Sequence, residues 1–186
     1  IIECSEKYKG DKITLCALGP LTNIAKVLRE NPRVTESIEE IVLMGGGFFE
    51  GGNITPAAEF NIYVDPEAAK IVLESGVKIT MLPLDVTHKT LVQRDFLEKL
   101  RKSGKNSAIE AAKLLDFFER YDVEKYGSKG GPLHDPNVIV YLLNPAIYKG
   151  KLVNVEIEVN SELTRGMTVV DWWNVTNRKP NAYYIN

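Results

Sequence analysis

Three short polar side chains, Asn53, Glu59 and Asn61, gather just past the apolar run Ile41-Val42-Leu43-Met44-Gly45-Gly46-Gly47. One carboxylate and two carboxamides offer donors and acceptors together, the combination that a polyol such as a ribose requires. In open α/β sheets, ligands sit outside the carboxyl ends of the strands, and this cluster follows the end of a predicted buried strand. Farther along, Pro132-Leu133-His134-Asp135-Pro136 sets a group that titrates near neutrality beside a carboxylate. His134 has the chemistry of a general acid or base, and Asp135 that of a metal or hydroxyl ligand. Together these residues point to a site that handles a sugar.

Each of them also has a plainer reading. Glu59 and Asn61 are two apart, so an extended segment would turn both to one side and Phe60 to the other. The alternative is a solvated loop over a buried Phe60. Asp135 could simply cap the helix that Pro136 opens, leaving His134 exposed. His88 reads as a structural histidine. Tyr121 and Tyr126 close a long predicted helix, either as packing residues or as aromatics that stack on a flat base. Met44, Trp172 and Trp173 read as core. Gly45 to Gly47, Gly51 and Gly52 fit neither a P-loop nor a dinucleotide fingerprint, so they read as backbone turning tightly beneath a ligand.

The elements that must position these groups follow from pattern. Residues 13–18, 41–44 and 77–82 are short apolar runs, each a buried-strand candidate. Between them, residues 21–30 carry apolar side chains at helical spacing, and Asp65-Pro66-Glu67 is a strong helix start. Residues 94–102, 107–124 and 136–143 are further predicted helices. Residues 153–159 alternate apolar and polar as a half-exposed strand, and 166–172 and 182–185 are predicted strands as well. Strand, helix, strand, helix, strand argues for an open, mainly parallel α/β sheet with covering helices. The C-terminal strands read as a small antiparallel addition at its periphery.

With 186 residues, the chain is expected to form a single domain over residues 1–186. A net charge of −2 gives no reason to expect nucleic acid as a partner, and no apolar run is long enough to span a bilayer. Cys4 and Cys16 are too few for a disulfide framework, which favours a cytoplasmic setting. Cys16, inside an apolar run, is expected to be a small buried hydrophobe.

The ordered set of motifs resembles the inosine/uridine-preferring nucleoside hydrolases over essentially the whole chain. Leu18-Gly19-Pro20-Leu21-Thr22-Asn23 is followed by Met44-Gly45-Gly46, Asn53 and Ala58-Glu59-Phe60-Asn61. Then come Asp65-Pro66-Glu67, Leu84-Asp85-Val86-Thr87-His88, Leu133-His134-Asp135-Pro136 and Thr164 to Asp171. The resemblance implies hydrolysis of the N-glycosidic bond of a ribonucleoside to base and ribose, with a calcium ion at the sheet's carboxyl end. It assigns the Leu18 carbonyl and the Asp135 carboxylate to the metal, and Met44, Asn53, Glu59 and Asn61 to the ribose. His134 becomes the proton donor to the leaving base, and Tyr126 a residue of the loop over that base. The partner implied is a small-molecule nucleoside, with homo-oligomeric assembly of the complete enzyme. The family's acidic Asp-x-Asp-x-Gly-x-Asp-Asp motif is missing. The chain therefore reads as the C-terminal part of a nucleoside hydrolase-like domain, inactive alone. The alternatives are a non-catalytic nucleoside- or ribose-binding module, or a subunit of a split enzyme completed by an N-terminal partner chain.

Overall fold

The structure, a computed structural model, describes residues 1–8, 10–126 and 130–186, with the side chains of residues 118–126 outside the description. Helix α1 (Ile2–Lys7) leads to strand β1 (Ile13–Ala17), helix α2 (Thr22–Glu30), a 3₁₀ turn (Pro32–Ser37) and strand β2 (Ile38–Met44). Helices α3 (Phe60–Val64) and α4 (Pro66–Leu73), strand β3 (Ile79–Leu82) and the short helix α5 (Leu84–Thr87) follow. Next are β4 (Leu91–Val92), α6 (Arg94–Lys102), α7 (Asn106–Tyr126) and β5 (Gly131–Pro132). Helix α8 (Pro136–Leu143), β6 (Gly150–Val153), β7 (Val155–Ile157), β8 (Thr168–Val170) and β9 (Ala182–Ile185) complete the chain. Two compact units result: Ile1–Val86 with Asp135–Asn186, and Thr87–His134.

The first unit is built on a five-stranded sheet of order β1-β2-β3-β9-β6. β1, β2, β3 and β9 are parallel, and β6 runs antiparallel to β9. This is the open, mainly parallel α/β sheet that the pattern predicts. β2 shows why its run is almost wholly apolar. Ile41 and Leu43 pack with α2 and α4 on one face, while Val42 and Met44 pack with Val138 of α8 on the other. A strand covered on both faces has no polar side to present.

Several expectations change in three dimensions. β9 is not peripheral: it lies inside the sheet, parallel to β3, with Tyr184 and Ile185 fully buried. A four-residue apolar strand carries no local mark of direction, so only its partner decides. The predicted strand at residues 153–159 is two strands in different sheets, because β6 pairs with β9 whereas β7 pairs with β8. The break falls at Asn154, whose Nδ2 donates to the Lys179 carbonyl at 3.1 Å. Cys16 is exposed rather than buried. It shares a face with Val42, which α8 covers over β2 but not over β1.

Other signals translate directly. Asp65 caps α4, its Oδ1 accepting the Ala68 amide at 3.0 Å, and Pro66 occupies the first turn, where a missing N–H costs nothing. In the second unit α6 keeps its predicted bounds, and Leu97 and Ala112 meet Val92 in a small core with Leu100, Leu115 and Leu133. Among the described residues no helix is long and apolar enough to cross a membrane.

Candidate active site

Because β1, β2 and β3 are parallel, their carboxyl ends lie together. Leu18 follows β1, Gly45 and Gly46 follow β2, and Asp85 lies just beyond β3. Gly46 makes the turn in the left-handed region, at φ +82°. A Cβ there would stand 2.7 Å from Thr168 Oγ1, so no larger residue fits without displacement. The turn is tied on both sides. The Gly46 carbonyl accepts the Leu84 amide at 2.9 Å, and its amide donates to Glu59 Oε2 at 2.9 Å.

Glu59 and Asn61 do not lie in an extended segment. Glu59 is the N-cap of α3, and Asn61 stands in its first turn. Besides the Gly46 amide, the Glu59 carboxylate accepts Asn61 N at 2.9 Å and Ile62 N at 3.3 Å. Three of roughly four lone-pair positions are thus spent on backbone. Helix geometry also reverses the expectation for Phe60, which is exposed, while Glu59 and Asn61 are buried. Asn61 Nδ2 donates to the Met44 carbonyl at 3.0 Å and lies 3.4 Å from Met44 Sδ. Asn53 Oδ1 accepts the Phe60 amide at 2.9 Å, pinning the loop to the start of α3. What these residues leave uncommitted among the described residues is the last acceptor position of Glu59, Asn61 Oδ1, also an acceptor, and Asn53 Nδ2, a donor.

Asp135 holds the N-cap position of α8 but makes no capping hydrogen bond, and its φ of −59° and ψ of −39° are helical. The plain capping explanation therefore does not account for it. Burial raises its carboxyl above the ordinary range. Burial likewise raises Glu59; three backbone amides pull it back, and the nearby Asp135 charge adds to the rise. Two carboxylates close enough to feel each other, one of them without a donor among the described residues, have the chemistry to meet a cation or sugar hydroxyls. Leu18 has an exposed side chain, so only its backbone could take part.

His134 is not exposed as the capping alternative would have it. Within the second unit its Nδ1 lies 2.8 Å from Thr87 Oγ1, and its ring centroid is 5.7 Å from that of His88. Burial, with the neighbouring His88, lowers its pKa from 6.5 to about 4. The Tyr126 side chain, like that of Tyr121, lies outside the described residues.

Sequence reasoning assigned no role to Asp85 or Tyr184. Asp85 is fully buried, and its carboxylate accepts Phe48 N at 3.0 Å, Glu50 N at 2.7 Å and the Tyr184 hydroxyl. It holds the glycine-rich loop in place. The position of Asp85 beyond a strand end was the available signal; Tyr184, on a distant strand, had none.

Calcium takes 6 to 8 oxygens. Asp135 and the Leu18 carbonyl supply far fewer, and no cluster of three or more His, Cys, Asp or Glu suited to a metal occurs among the described residues. The residues of this chain do not by themselves fit a calcium site.

The carboxyl end of a mainly parallel α/β sheet, where acidic and carboxamide groups gather here, is the place at which such folds bind small molecules. The family described as inosine-uridine preferring nucleoside hydrolase matches residues 1–186, and the chain belongs to it. It is 50% identical over 181 residues to the pyrimidine-specific ribonucleoside hydrolase RihA of Shewanella sp., covering 96% of this chain and 57% of that protein. Among solved structures, the purine-preferring ribonucleoside hydrolase from Gardnerella vaginalis superposes with a TM-score of 0.88 at 31% identity, over 99% of this chain and 58% of the other. A plant nucleoside hydrolase gives 0.89 at 29%, over 100% and 60%. The chain thus spans 57–60% of the length of these relatives.

Proposed function

We propose that this chain supplies part of the nucleoside site of an enzyme that hydrolyses the N-glycosidic bond of ribonucleosides. The observation that carries this reading is Asp135, a half-buried carboxylate beside Glu59 that has no capping role. In the reaction, a water oxygen bonds to the ribosyl C1′ as the C1′–N bond breaks. The bonding pair leaves with the base, which gains a proton, and the water loses one. Positive charge builds on the sugar, as in other glycosyl transfers. The Glu59 and Asp135 carboxylates stabilise that charge. Asn53 Nδ2 and Asn61 Oδ1 hold the ribose hydroxyls as donor and acceptor, with Met44 against the sugar. The group that activates the water is not among these residues.

His134 supplies the proton to the leaving base. Its lowered pKa leaves the ring neutral at neutral pH before substrate binds. Negative charge developing on the base favours the protonated ring, so proton uptake accompanies bond breaking. Asp135 and the Leu18 carbonyl are proposed as ligands of a calcium ion whose remaining oxygens come from outside this chain. Cys4 and Cys16, both free, suit a cytoplasmic setting.

The test uses the complete protein with a ribonucleoside and with p-nitrophenyl riboside, whose leaving group departs without protonation. His134→Ala should slow the nucleoside about 10²–10⁴-fold, the usual scale of general acid catalysis, and largely spare the nitrophenyl compound. Asp135→Ala should impair both. Equal slowing of both substrates by His134→Ala would remove its role as proton donor. Hydrolysis of neither substrate by the wild type, with nucleoside still bound, would favour the binding-module alternative.

A further inference from the structure

The antiparallel hairpin β7–β8 lies against both parts of the candidate site. At its return Gly166 turns in the left-handed region, and a Cβ there would stand 2.9 Å from Tyr63 Cα and 3.3 Å from Ala58 Cβ. Met167 bridges antiparallel to Ala58, which directly precedes the Glu59 cap and whose carbonyl accepts the Asn53 amide at 3.2 Å. Thr168, the first residue of β8, packs closely on Gly46, whose amide donates to Glu59 Oε2. Three consecutive residues thus back α3, the residue that leads into it and the Gly46 turn.

Arg165 fastens this segment. Its Nη2 donates to the two Glu67 oxygens at 2.6 and 2.7 Å, and its Nη1 to the Val159 carbonyl at 2.6 Å. Glu67 stands in the first turn of α4, the helix that follows α3. The guanidinium therefore joins both arms of the hairpin return to α4. An isolated exposed ion pair contributes little to stability. A planar donor held at three acceptors fixes direction as well as distance.

We propose that Arg165 is a positioning residue for Glu59 and Asn61, latching the β7–β8 hairpin to α4 so that Gly166, Met167 and Thr168 keep the α3 cap and the Gly46 turn in register. The proposal rests on Glu59 and Asn61 binding the ribose, and Arg165 itself need touch no substrate. The Glu59 carboxylate is aimed by the Gly46 amide on one side and by the Asn61 and Ile62 amides on the other. Its direction holds only while turn and cap keep their spacing, and they lie 13 residues apart in the chain. The hairpin spans that gap in space.

Two variants test the latch in the complete protein. Arg165→Met keeps much of the stem and removes the donors; Glu67→Ala leaves Arg165 but removes its anchor on α4. Each should raise KM for a ribonucleoside and for p-nitrophenyl riboside alike, about three- to tenfold, because both substrates carry the ribose. The ratio of the two kcat values should stay as in wild type. A lower kcat at unchanged KM would mean only that fewer molecules fold, and overturns the proposal. So does a KM effect of Arg165→Met that Glu67→Ala does not share.

The second readout needs no activity. In the 186-residue chain, hydrogen exchange at the Gly46, Asn61 and Ile62 amides, all bonded to Glu59, should quicken severalfold in Arg165→Met. The amides of the β1–β2 ladder should exchange as in wild type. Wild-type exchange at all three Glu59-bonded amides overturns the proposal. If the wild-type protein hydrolyses no ribonucleoside, the proposed function fails separately, and exchange still decides whether Arg165 steadies Glu59.

Discussion

The Tyr184 hydroxyl donates to the Asp85 carboxylate, joining residues 99 positions apart in the buried heart of the first unit. The same carboxylate accepts the Phe48 and Glu50 amides, so one side chain fastens strand β9 to the loop that follows β2. Tyr184→Phe removes one of three donors and should cost about 1–2 kcal/mol. Asp85→Ala strands all three donors and should cost more, on the order of 3 kcal/mol or above. Urea denaturation of the two variants should show that order. Loss of the order would mean that the loop is held by something other than Asp85.

Gly46 is expected to tolerate no side chain. Alanine there meets both an unfavourable φ and the Thr168 hydroxyl at 2.7 Å. Gly46→Ala should destabilise by about 1–3 kcal/mol, the usual range for overpacking. It should also weaken nucleoside binding, since the Gly46 amide holds Glu59. A thermal melt together with a binding titration checks both. An unchanged melt would show that Thr168 yields readily.

Glu59 makes stability depend on pH in a definite direction. Burial raises its pKa above the reference value of 4.5, so the folded state holds the proton more tightly than the unfolded chain. Its contribution is full below the unfolded pKa and is lost as pH rises through the folded value. Glu59→Gln should therefore flatten the decline in stability just above pH 4.5, compared with wild type. It should also cost about 1–3 kcal/mol, because a carboxamide sets a donor against amides that need an acceptor. Denaturant midpoints over that pH range measure both effects.

His134 has the opposite sign. Its folded pKa of about 4 lies below 6.5, so its contribution to stability is full above 6.5 and is lost as pH falls through 4. Its ring resonances in the unliganded chain should titrate near pH 4. In the complete protein, the rate on a ribonucleoside relative to p-nitrophenyl riboside should rise as pH falls toward about 4, since only the nucleoside needs the proton. A ratio independent of pH would assign leaving-group protonation to another residue.

Much of this was legible before any coordinates. Continuous apolar runs marked β1, β2 and β3 because strands covered on both faces carry no polar alternation. Asp65-Pro66 marked the start of α4 because capping is a local hydrogen-bond requirement, met here by Ala68 N. Asn53, Glu59, Asn61 and Asp135 stood out by chemical type and by their place beyond strand ends or before a helix. Their detailed employment was not legible. That Glu59 spends its carboxylate on Gly46, Asn61 and Ile62 depends on a one-turn helix too short to show a period. That Asp135 caps nothing depends on backbone angles. Strand β9 took its direction from β3, and Tyr184 its role from Asp85, because pairing between distant segments is settled by packing. Spacing along the chain determined which groups could act; the tertiary fold decided which of their hydrogen-bonding positions remain open, since each buried polar atom must first find a partner within the protein.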